Sequence, residues 1–332
     1  MLFLTLLGMS VLISISSNSW FIIWMGMEIN MMSFLPLIIE QNNLTSKESA
    51  LTYFMIQTIA SMIMMMSIIT MMINKNYMNI IMKEMSNMMM MSALMMKSGI
   101  SPFHFWMPKM MEGMSWIKCF ILMTWQKIIP LMIMSNIIQM NWMNMSAMMM
   151  SIIVGAVGGL NQTSIRKNMA YSSITNNGWM MAAMLISETM WMTYFMMYII
   201  MTATMTMSMN ILKTYHINQL MTANMSKLKK IILMMNLLSI SGLPPMMGFM
   251  PKWMVIQSNM SNNEIMLMSM MVMMTLVTIY YYLRIMYSTL MLSNSEPKWN
   301  NKMMEFNNNK MMMMSVLSVS GLPFITLITS LY

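Results

Sequence analysis

Ionisable side chains interrupt several long apolar stretches of the sequence, namely Glu28, Lys97, Lys127, Lys252 and His104. Placing a charge in hydrocarbon is expensive, so such residues are candidates for function. A desolvated lysine gives up its proton more readily, and a nearby carboxylate holds that proton in place. One glutamate with a series of lysines therefore predicts proton transfer. We expect Glu28 and Lys97 to form a movable pair that passes a proton towards Lys127.

Each of these side chains also has a purely structural interpretation. Glu28 and Lys97 could form a static ion pair, and the lysines could be hydrogen-bonded to backbone carbonyl groups. Lys252 could lie at a membrane interface, and a buried histidine such as His104 is often only a satisfied core residue. The residue types alone leave both interpretations open.

The composition indicates which elements position these residues. Only 8% of the 332 residues are charged and 58% are hydrophobic, whereas soluble domains have about 25% charged residues. Such a chain cannot cover a soluble surface, which indicates a membrane protein. The apolar content excludes intrinsic disorder, and the single cysteine, Cys119, excludes a disulfide scaffold.

The fold class predicted is all-α, a polytopic membrane protein with about 11 transmembrane helices of roughly 20 residues each. The expected spans are residues 2–17, 20–39, 49–73, 86–111, 116–138, 143–160, 166–186, 189–212, 230–258, 264–291 and 311–330. Short polar connections join them, and no stretch resembles a soluble domain. The membrane part is therefore a single domain that covers residues 1–332.

A sequence pattern occurs twice, once in the fourth span and once in the ninth. Ser98-Gly99, Pro102 and Pro108-Lys109 have the same spacing as Ser241-Gly242, Pro245 and Pro251-Lys252. Glycine and proline inside a span break the helix. The copies lie five spans apart, and this odd offset means that they cross the membrane in opposite directions. Two broken helices in opposed halves are typical of inverted-repeat transporters.

The pattern predicts two inverted five-helix repeats, followed by a loop and a helix. The first repeat covers residues 1–138, the second covers residues 139–292, and the C-terminal segment covers residues 293–332. The alternative is that both prolines only kink helices for packing.

Basic residues predict the orientation of the spans, because cytoplasmic or matrix loops carry an excess of them. An odd number of spans places the two termini on opposite sides. The side of the N-terminus carries Lys47, Lys109, Arg166, Lys167, Lys213, Lys227, Lys229, Lys230, Lys298, Lys302 and Lys310. The other side carries only Lys75, Lys83 and Lys252. The N-terminus is therefore expected inside and the C-terminus outside.

The net charge of +9 fits this arrangement and an attraction to anionic phospholipids such as cardiolipin. We expect no nucleic-acid partner, because the basic residues lie in connections between apolar runs.

Sites for redox cofactors and metals are missing from the sequence. It contains no cysteine cluster for iron–sulfur ligation and no phosphate-binding glycine motif. The two histidines, His104 and His216, are too few and too separated for a haem or copper site. We therefore expect no cofactor and no metal in this chain.

Methionine is unusually abundant, with 70 residues. Packing does not require this, since leucine or isoleucine fills the same space. The excess is similar to that of proteins encoded in AT-rich animal mitochondrial genomes. The sequence also begins with an apolar stretch and not with a basic, serine-rich transit peptide. Both features favour the mitochondrial inner membrane, with the N-terminus in the matrix and the C-terminus in the intermembrane space.

Several motifs of the chain resemble the antiporter-like subunits of respiratory complex I, in particular mitochondrial members from insects or other arthropods. The motifs are KSGISPFHFW at 97–106, GGLNQTSIRK at 158–167, AYSSI at 170–174, SGLPP at 241–245, PKW at 251–253 and WMGMEIN at 24–30. The resemblance extends over nearly the whole chain and is weakest in residues 292–332.

The resemblance implies a role for each candidate residue. Glu28 would be the carboxylate of the first broken-helix bundle, Lys97 the pump lysine, Lys127 the connecting lysine and Lys252 the lysine towards the exit. His104 belongs to the same motif as Lys97. The family often has a histidine where this sequence has Asn176 or its neighbour, and asparagine does not titrate.

The resemblance also implies partners and an activity of the assembly. The chain would translocate protons from matrix to intermembrane space, coupled to NADH oxidation and ubiquinone reduction. NADH, FMN, iron–sulfur clusters and ubiquinone would belong to other subunits, and neighbouring antiporter-like subunits would be partners. Two alternatives remain, a free-standing cation/proton antiporter and a non-pumping membrane scaffold subunit.

Overall fold

The computed structural model describes residues 2–40, 42–74, 80–222, 227–244, 246–261 and 264–292. Within these ranges the chain is helical, apart from turns and one isolated bridge between Ser164 and His216. The predicted all-α class is therefore confirmed for the described residues. The expected last span, 311–330, and Pro245 lie outside them.

The chain forms two compact units, residues 1–148 and 149–332. The first unit contains α1 (Leu2–Ser16), α2 (Trp20–Ile38), α3 (Leu44–Asn74), α4 (Ile80–Ser98), α5 (Trp106–Gly113), α6 (Trp116–Met123), α7 (Trp125–Ile137) and the start of α8 (Trp142–Gly159). Helix α3 packs against α2, α4 and α5, and α4 packs against α7. These contacts place the candidate residues of the first unit close together in the interior of that unit.

The second unit is built around α10. Its helices are α9 (Ile165–Met184), α10 (Glu188–Leu212), α11 (Ile217–Thr222), α12 (Lys227–Ser241), α13 (Phe249–Ser261) and α14 (Ile265–Tyr287), followed by one π-helical turn (Ser288–Leu292). Helix α10 packs against α9, α12 and α13. Helix α14 covers α12 and α13.

Six helical segments of the described chain are long and apolar enough to cross a membrane. They are Trp20–Ile38, Leu44–Ile73, Trp116–Ile137, Trp142–Gly159, Glu188–Leu212 and Ile265–Leu290. Helix α4, in the fourth expected span, has 19 residues but carries three charged side chains, Lys83, Glu84 and Lys97. The ninth expected span is divided into α12 and α13, of 15 and 13 residues, and α1 has 15 residues. The chain is thus a multi-pass membrane protein, while the larger number of spans remains a prediction.

Helix α9 corresponds to an expected span but is too polar to meet the same criterion. Its polar side chains are nevertheless buried, among them Asn168, Ser172, Ser173, Thr175, Asn176 and Asn177. Protein surrounds α9 on nearly all faces, so it has little need of the apolar surface that lipid contact requires.

Both copies of the repeated pattern end a helix at the same point, as expected for a broken span. Helix α4 ends at Ser98 and α12 ends at Ser241. The next residues, Gly99 and Gly242, have φ of 72° and 84°. Glycine adopts this left-handed conformation without the Cβ clash that other residues incur. The Ser-Gly pair of the pattern is therefore a helix stop in both units.

The fifth expected span contains an interruption that the sequence did not predict. Helices α6 and α7 are separated at Thr124, whose φ and ψ are −113° and −69°. The Thr124 hydroxyl donates a hydrogen bond of 2.7 Å to the Phe120 carbonyl oxygen. The interruption lies three residues before Lys127, so it changes the backbone next to a candidate residue.

Candidate functional site

The break after α4 frees backbone carbonyl groups, and side chains bind them. The Gln57 amide donates to the Lys97 carbonyl oxygen at 3.3 Å. The indole N–H of Trp106 donates at 3.1 Å to the Met96 carbonyl oxygen, which also accepts from the backbone N–H of Gly99 at 3.4 Å. In a low-dielectric interior an unpaired carbonyl is costly, so these polar side chains stabilise the broken helix.

Lys97 lies in the last turn of α4, where the helix dipole favours a positive charge. The side chain is 7% exposed. Its ammonium contacts the Met27 sulfur at 3.6 Å, and a thioether is only a weak acceptor. Most of the hydrogen-bonding capacity of Lys97 is therefore not used by this contact.

Glu28 lies on α2 and interacts electrostatically with both Lys97 and Tyr53. It forms no salt bridge with Lys97, since no Glu28 oxygen lies within 4.0 Å of the ammonium. Its Oε1 atom is buried without a hydrogen-bond partner. The structure therefore brings the expected pair into one electrostatic environment but keeps the charges apart. Whether they move together in turnover remains a prediction.

Lys127 lies in the first turn of α7 and is 2% exposed. Pro130 lies inside the same helix, and a proline has no N–H to donate to the carbonyl four residues earlier. The carbonyl of Gln126 therefore lacks its usual helical partner. Together with the interruption at Thr124, this loosens the backbone hydrogen bonding on both sides of Lys127.

Lys97 and Lys127 line one cavity of about 20 Å³ inside the first unit. A water needs about 10–15 Å³ measured in this way, so the cavity has room for one water. Its polar lining consists of Asn30, Tyr53, Gln57, Lys97, Ser98, Gln126 and Lys127. Two buried lysines thus border one space of water size that also has neutral polar groups in its walls.

The walls of this cavity include a chain of neutral hydrogen-bonded side chains. The Tyr53 hydroxyl donates to Gln126 Oε1 at 3.0 Å. The Gln126 amide nitrogen donates to Asn30 Oδ1 at 3.2 Å. Sequence reasoning did not single out these residues as candidates. Polar side chains inside apolar spans are a usable signal, but only contact with the cavity distinguishes them from other such residues.

Lys252 lies on α13, across the break in the ninth expected span. It is 8% exposed, and its ammonium donates to the carbonyl oxygen of Ser241 at 2.7 Å. Lys109 occupies the same place in the first copy of the pattern but is exposed. The repeated Pro-Lys pair therefore has different environments, and only the second copy buries its lysine.

His104 follows the break in the first unit. Its Nδ1 lies 3.3 Å from the Pro102 carbonyl oxygen, and its ring packs at 4.1 Å from that of Phe105. It does not line the cavity between Lys97 and Lys127. A role for His104 in proton transfer remains a prediction.

Asn176, where the resembled family often has histidine nearby, is buried in α9. Its Oδ1 accepts a hydrogen bond of 3.0 Å from the Tyr194 hydroxyl. This contact gives the side chain a polar partner within the second unit. A neutral amide can orient a neighbour there but cannot accept a proton at ordinary pH.

Glu40, just beyond the end of α2, forms an ion pair at 2.7 Å with Lys118. The hydrogen bond from the Lys118 ammonium lowers the pKa of the Glu40 carboxyl below its usual value. Lys118 also donates to the carbonyl oxygen of Ile38 at 3.0 Å. This pair closes the end of α2 and is separate from the cavity.

Within the described residues, no group of three or more His, Cys, Asp or Glu side chains is arranged to hold a metal ion. The first-unit site is instead composed of buried lysines, a carboxylate and neutral hydrogen-bonding groups. Such a site can bind water and transfer protons.

The chain is similar to curated proteins named NADH-ubiquinone oxidoreductase chain 2. The protein of Aedes aegypti is 45% identical, over 98% of this chain and 97% of its own length. That of Anopheles gambiae is 43% identical, over 90% of this chain and 88% of its own length. That of Bos taurus is 37% identical, over 89% of this chain and 88% of its own length.

Solved structures with the same fold include a chain of respiratory complex I from Thermus thermophilus with bound aureothin. It has a TM-score of 0.83 at 17% identity, and the match covers 98% of this chain and 78% of that one. A chain of the Mrp complex from Dietzia has a TM-score of 0.78 at 14% identity. That match covers 89% of this chain and 61% of the Dietzia chain, so this chain spans less than two thirds of that protein.

A family model described as NADH:quinone oxidoreductase/Mrp antiporter, transmembrane, matches residues 17–278. That range includes Glu28, Lys97, Lys127 and Lys252. With the identities above, it establishes that the chain belongs to the NADH:quinone oxidoreductase/Mrp antiporter family of transmembrane proteins.

Proposed function

We propose that this chain is a membrane-arm subunit of respiratory complex I that translocates protons across the mitochondrial inner membrane. Transport runs from matrix to intermembrane space and is coupled to NADH oxidation and ubiquinone reduction by the assembly. Kinship at 43–45% identity to insect proteins named NADH-ubiquinone oxidoreductase chain 2 supports this function. The chain then acts as one part of an enzyme complex.

The observation that carries the proposal is the shared cavity of Lys97 and Lys127, which has room for one water. A purely structural lysine would need an acceptor that satisfies its charge, but Lys97 contacts a methionine sulfur. Two buried lysines around one polar space are suited to exchanging a proton, because a water in that space can reach both side chains.

The proposed roles follow the positions of the residues. Glu28 holds the proton on Lys97 when the two approach and releases it when they separate. Lys127 takes up the proton inside the first unit, and Lys252 acts at the broken helix of the second unit. His104 lies beside the first break and would supply protons from that side.

The proposed setting is the membrane arm, beside other antiporter-like subunits. The N-terminus faces the matrix and the C-terminus faces the intermembrane space. In this proposal residues 1–138 and 139–292 form two inverted five-helix repeats, within about 11 transmembrane helices in total. NADH, FMN, iron–sulfur clusters and ubiquinone are bound by other subunits, and no nucleic acid takes part.

Phospholipids such as cardiolipin are further proposed partners. An open pocket of about 360 Å³ lies near the end of α14 and is lined by Arg284, Asn161, Gln162 and Asn218, among others. A cation and amide groups at the end of a membrane helix suit an anionic head group.

The test is the proton-to-electron ratio of the assembled complex carrying Lys127→Met, reconstituted in sealed vesicles. The expected result is a lower ratio in a complex that still assembles and oxidises NADH. Lys109→Met is the matched control, because Lys109 is exposed and belongs to the same unit. An unchanged ratio in the Lys127→Met complex would contradict the proposal.

The fold likeness to the Mrp complex, at a TM-score of 0.78, favours one second candidate, a cation/proton antiporter outside complex I. A third is a scaffold subunit that does not pump. Purification tests the second candidate, because an antiporter outside complex I would not co-purify with a large NADH-oxidising complex. A scaffold would co-purify but would leave the proton-to-electron ratio insensitive to Lys127.

A further inference from the structure

We infer that Tyr53, Gln126 and Asn30 form a neutral positioning chain that holds the water through which Lys97 and Lys127 exchange a proton. The inference rests on the proposed function and adds residues to it that act without titrating. It starts from the size of the cavity. At about 20 Å³ it admits one water, and both lysines line it.

The step is balanced with one water. An N–H bond of the Lys97 ammonium breaks, and its proton binds the water oxygen. At the same time an O–H bond of the water breaks, and the proton from that bond joins the Lys127 amine. Lys97 becomes neutral and Lys127 becomes an ammonium, and the water is regenerated. The transfer needs the water oriented towards both nitrogens at once, so its remaining hydrogen bonds matter.

The chain Tyr53–Gln126–Asn30 supplies that orientation. Tyr53 donates to Gln126 Oε1 at 3.0 Å, so this oxygen is already engaged. Gln126 in turn donates to Asn30 Oδ1 at 3.2 Å. The donors follow one direction, from Tyr53 to Gln126 to Asn30. This order fixes which side of each amide is the oxygen and which is the nitrogen, and therefore which hydrogen-bonding groups face the cavity. The residues are 2%, 9% and 4% exposed, so bulk water does not compete.

Position along the chain supports the same conclusion. Gln126 directly precedes Lys127, at the start of α7, and its backbone carbonyl lacks a partner from Pro130. Tyr53 comes from α3 and Asn30 from α2. Three helices therefore meet through neutral groups at the lysine cavity. An amide and a phenol keep their form over the working pH range, so they can position the water without storing the proton.

The experiment uses the assembled complex in sealed vesicles with Tyr53→Phe, Gln126→Met and the double variant. We measure the proton-to-electron ratio and the H2O/D2O isotope effect on coupled turnover. Loss of one oriented hydrogen bond should slow coupled turnover roughly tenfold and raise the isotope effect. The double variant should cost little more than either single one, since both act on one step.

The control is Ser67→Ala, which removes another buried hydroxyl from α3 outside the cavity lining. It should leave both measurements unchanged. Tyr53→Phe keeps the ring and its packing, so it tests the inference even if Gln126→Met fails to assemble.

Normal coupling and a normal isotope effect in Tyr53→Phe, beside a defect in Lys127→Met, would overturn the inference and leave the proposed function standing. A normal proton-to-electron ratio in Lys127→Met would overturn both. A Tyr53→Phe defect in assembly alone, with unchanged coupling in the complexes that form, would also overturn the inference.

Discussion

The ammonium of Lys252 donates a hydrogen bond of 2.7 Å to the carbonyl oxygen of Ser241, the last residue of α12. The contact joins the two halves of a broken helix and places a cation at the negative end of the first half. The candidate proton carrier Lys252 is thus hydrogen-bonded directly to the backbone at the break. Any change at Lys252 therefore acts on stability as well as on transport.

Replacing Lys252 by methionine should reduce both pumping and stability. The Ser241 carbonyl would be left buried without its charged donor, at a cost of about 1–3 kcal/mol. Thermal inactivation of the assembled complex measures this loss, and the proton-to-electron ratio measures the transport defect. Lys109→Met removes the matching lysine of the other copy of the pattern, which is exposed, and should change neither.

Glu28→Gln should impair proton pumping and coupled turnover more than assembly, because a neutral amide cannot hold the proton on Lys97. Lys97→Met should have the same effect. The double change should cost little beyond either single one if both residues act on one step. Pumping ratios of the three assembled complexes test this, and normal pumping with Glu28→Gln would return Glu28 to a structural role.

Gly248→Ala should be strongly destabilising. A Cβ at position 248 would collide with the backbone carbonyl oxygen of Ser239, so the chain at the second break would have to shift. We expect loss of assembled complex, because overpacking a core typically costs about 1–3 kcal/mol and this contact involves rigid backbone. Gly8→Ala is the control, because nothing lies within 4 Å of its added Cβ and alanine favours a helix.

The ion pair of Glu40 and Lys118 should contribute a small, pH-dependent stability. Lys118 lowers the pKa of Glu40 in the folded state, so the contribution is present above the pKa of the unfolded carboxyl. It is lost as the pH falls through the lowered folded value. Glu40 is 37% exposed, so the effect should stay within about 0.2–1 kcal/mol.

Thermal inactivation of the assembled complex between pH 7 and acid, with and without Glu40→Gln, measures this contribution. The two proteins should differ near neutral pH and converge in acid. A difference in stability that grows as the pH falls would contradict a lowered pKa of Glu40 in the folded state.

The amino-acid sequence by itself determined the helical membrane class, the family and the broken helices. Composition decides the first, because a chain with 8% charged residues cannot form a soluble surface. The repeated pattern of glycine and proline decides the third, because proline cannot continue a helix and glycine readily adopts the left-handed conformation that ends one. The resemblance stated from the motifs at 97–106 and 241–253 is confirmed by the insect relatives.

Tertiary structure decided which polar residues share a site. Gln57, Tyr53 and Asn30 are distant from Lys127 in sequence, and the packing of α2, α3 and α7 brings them to one cavity. The pattern treats Lys109 and Lys252 alike, yet one is exposed and the other is buried against Ser241. Burial and hydrogen-bond geometry depend on neighbouring helices, and a local sequence pattern contains no information about those neighbours.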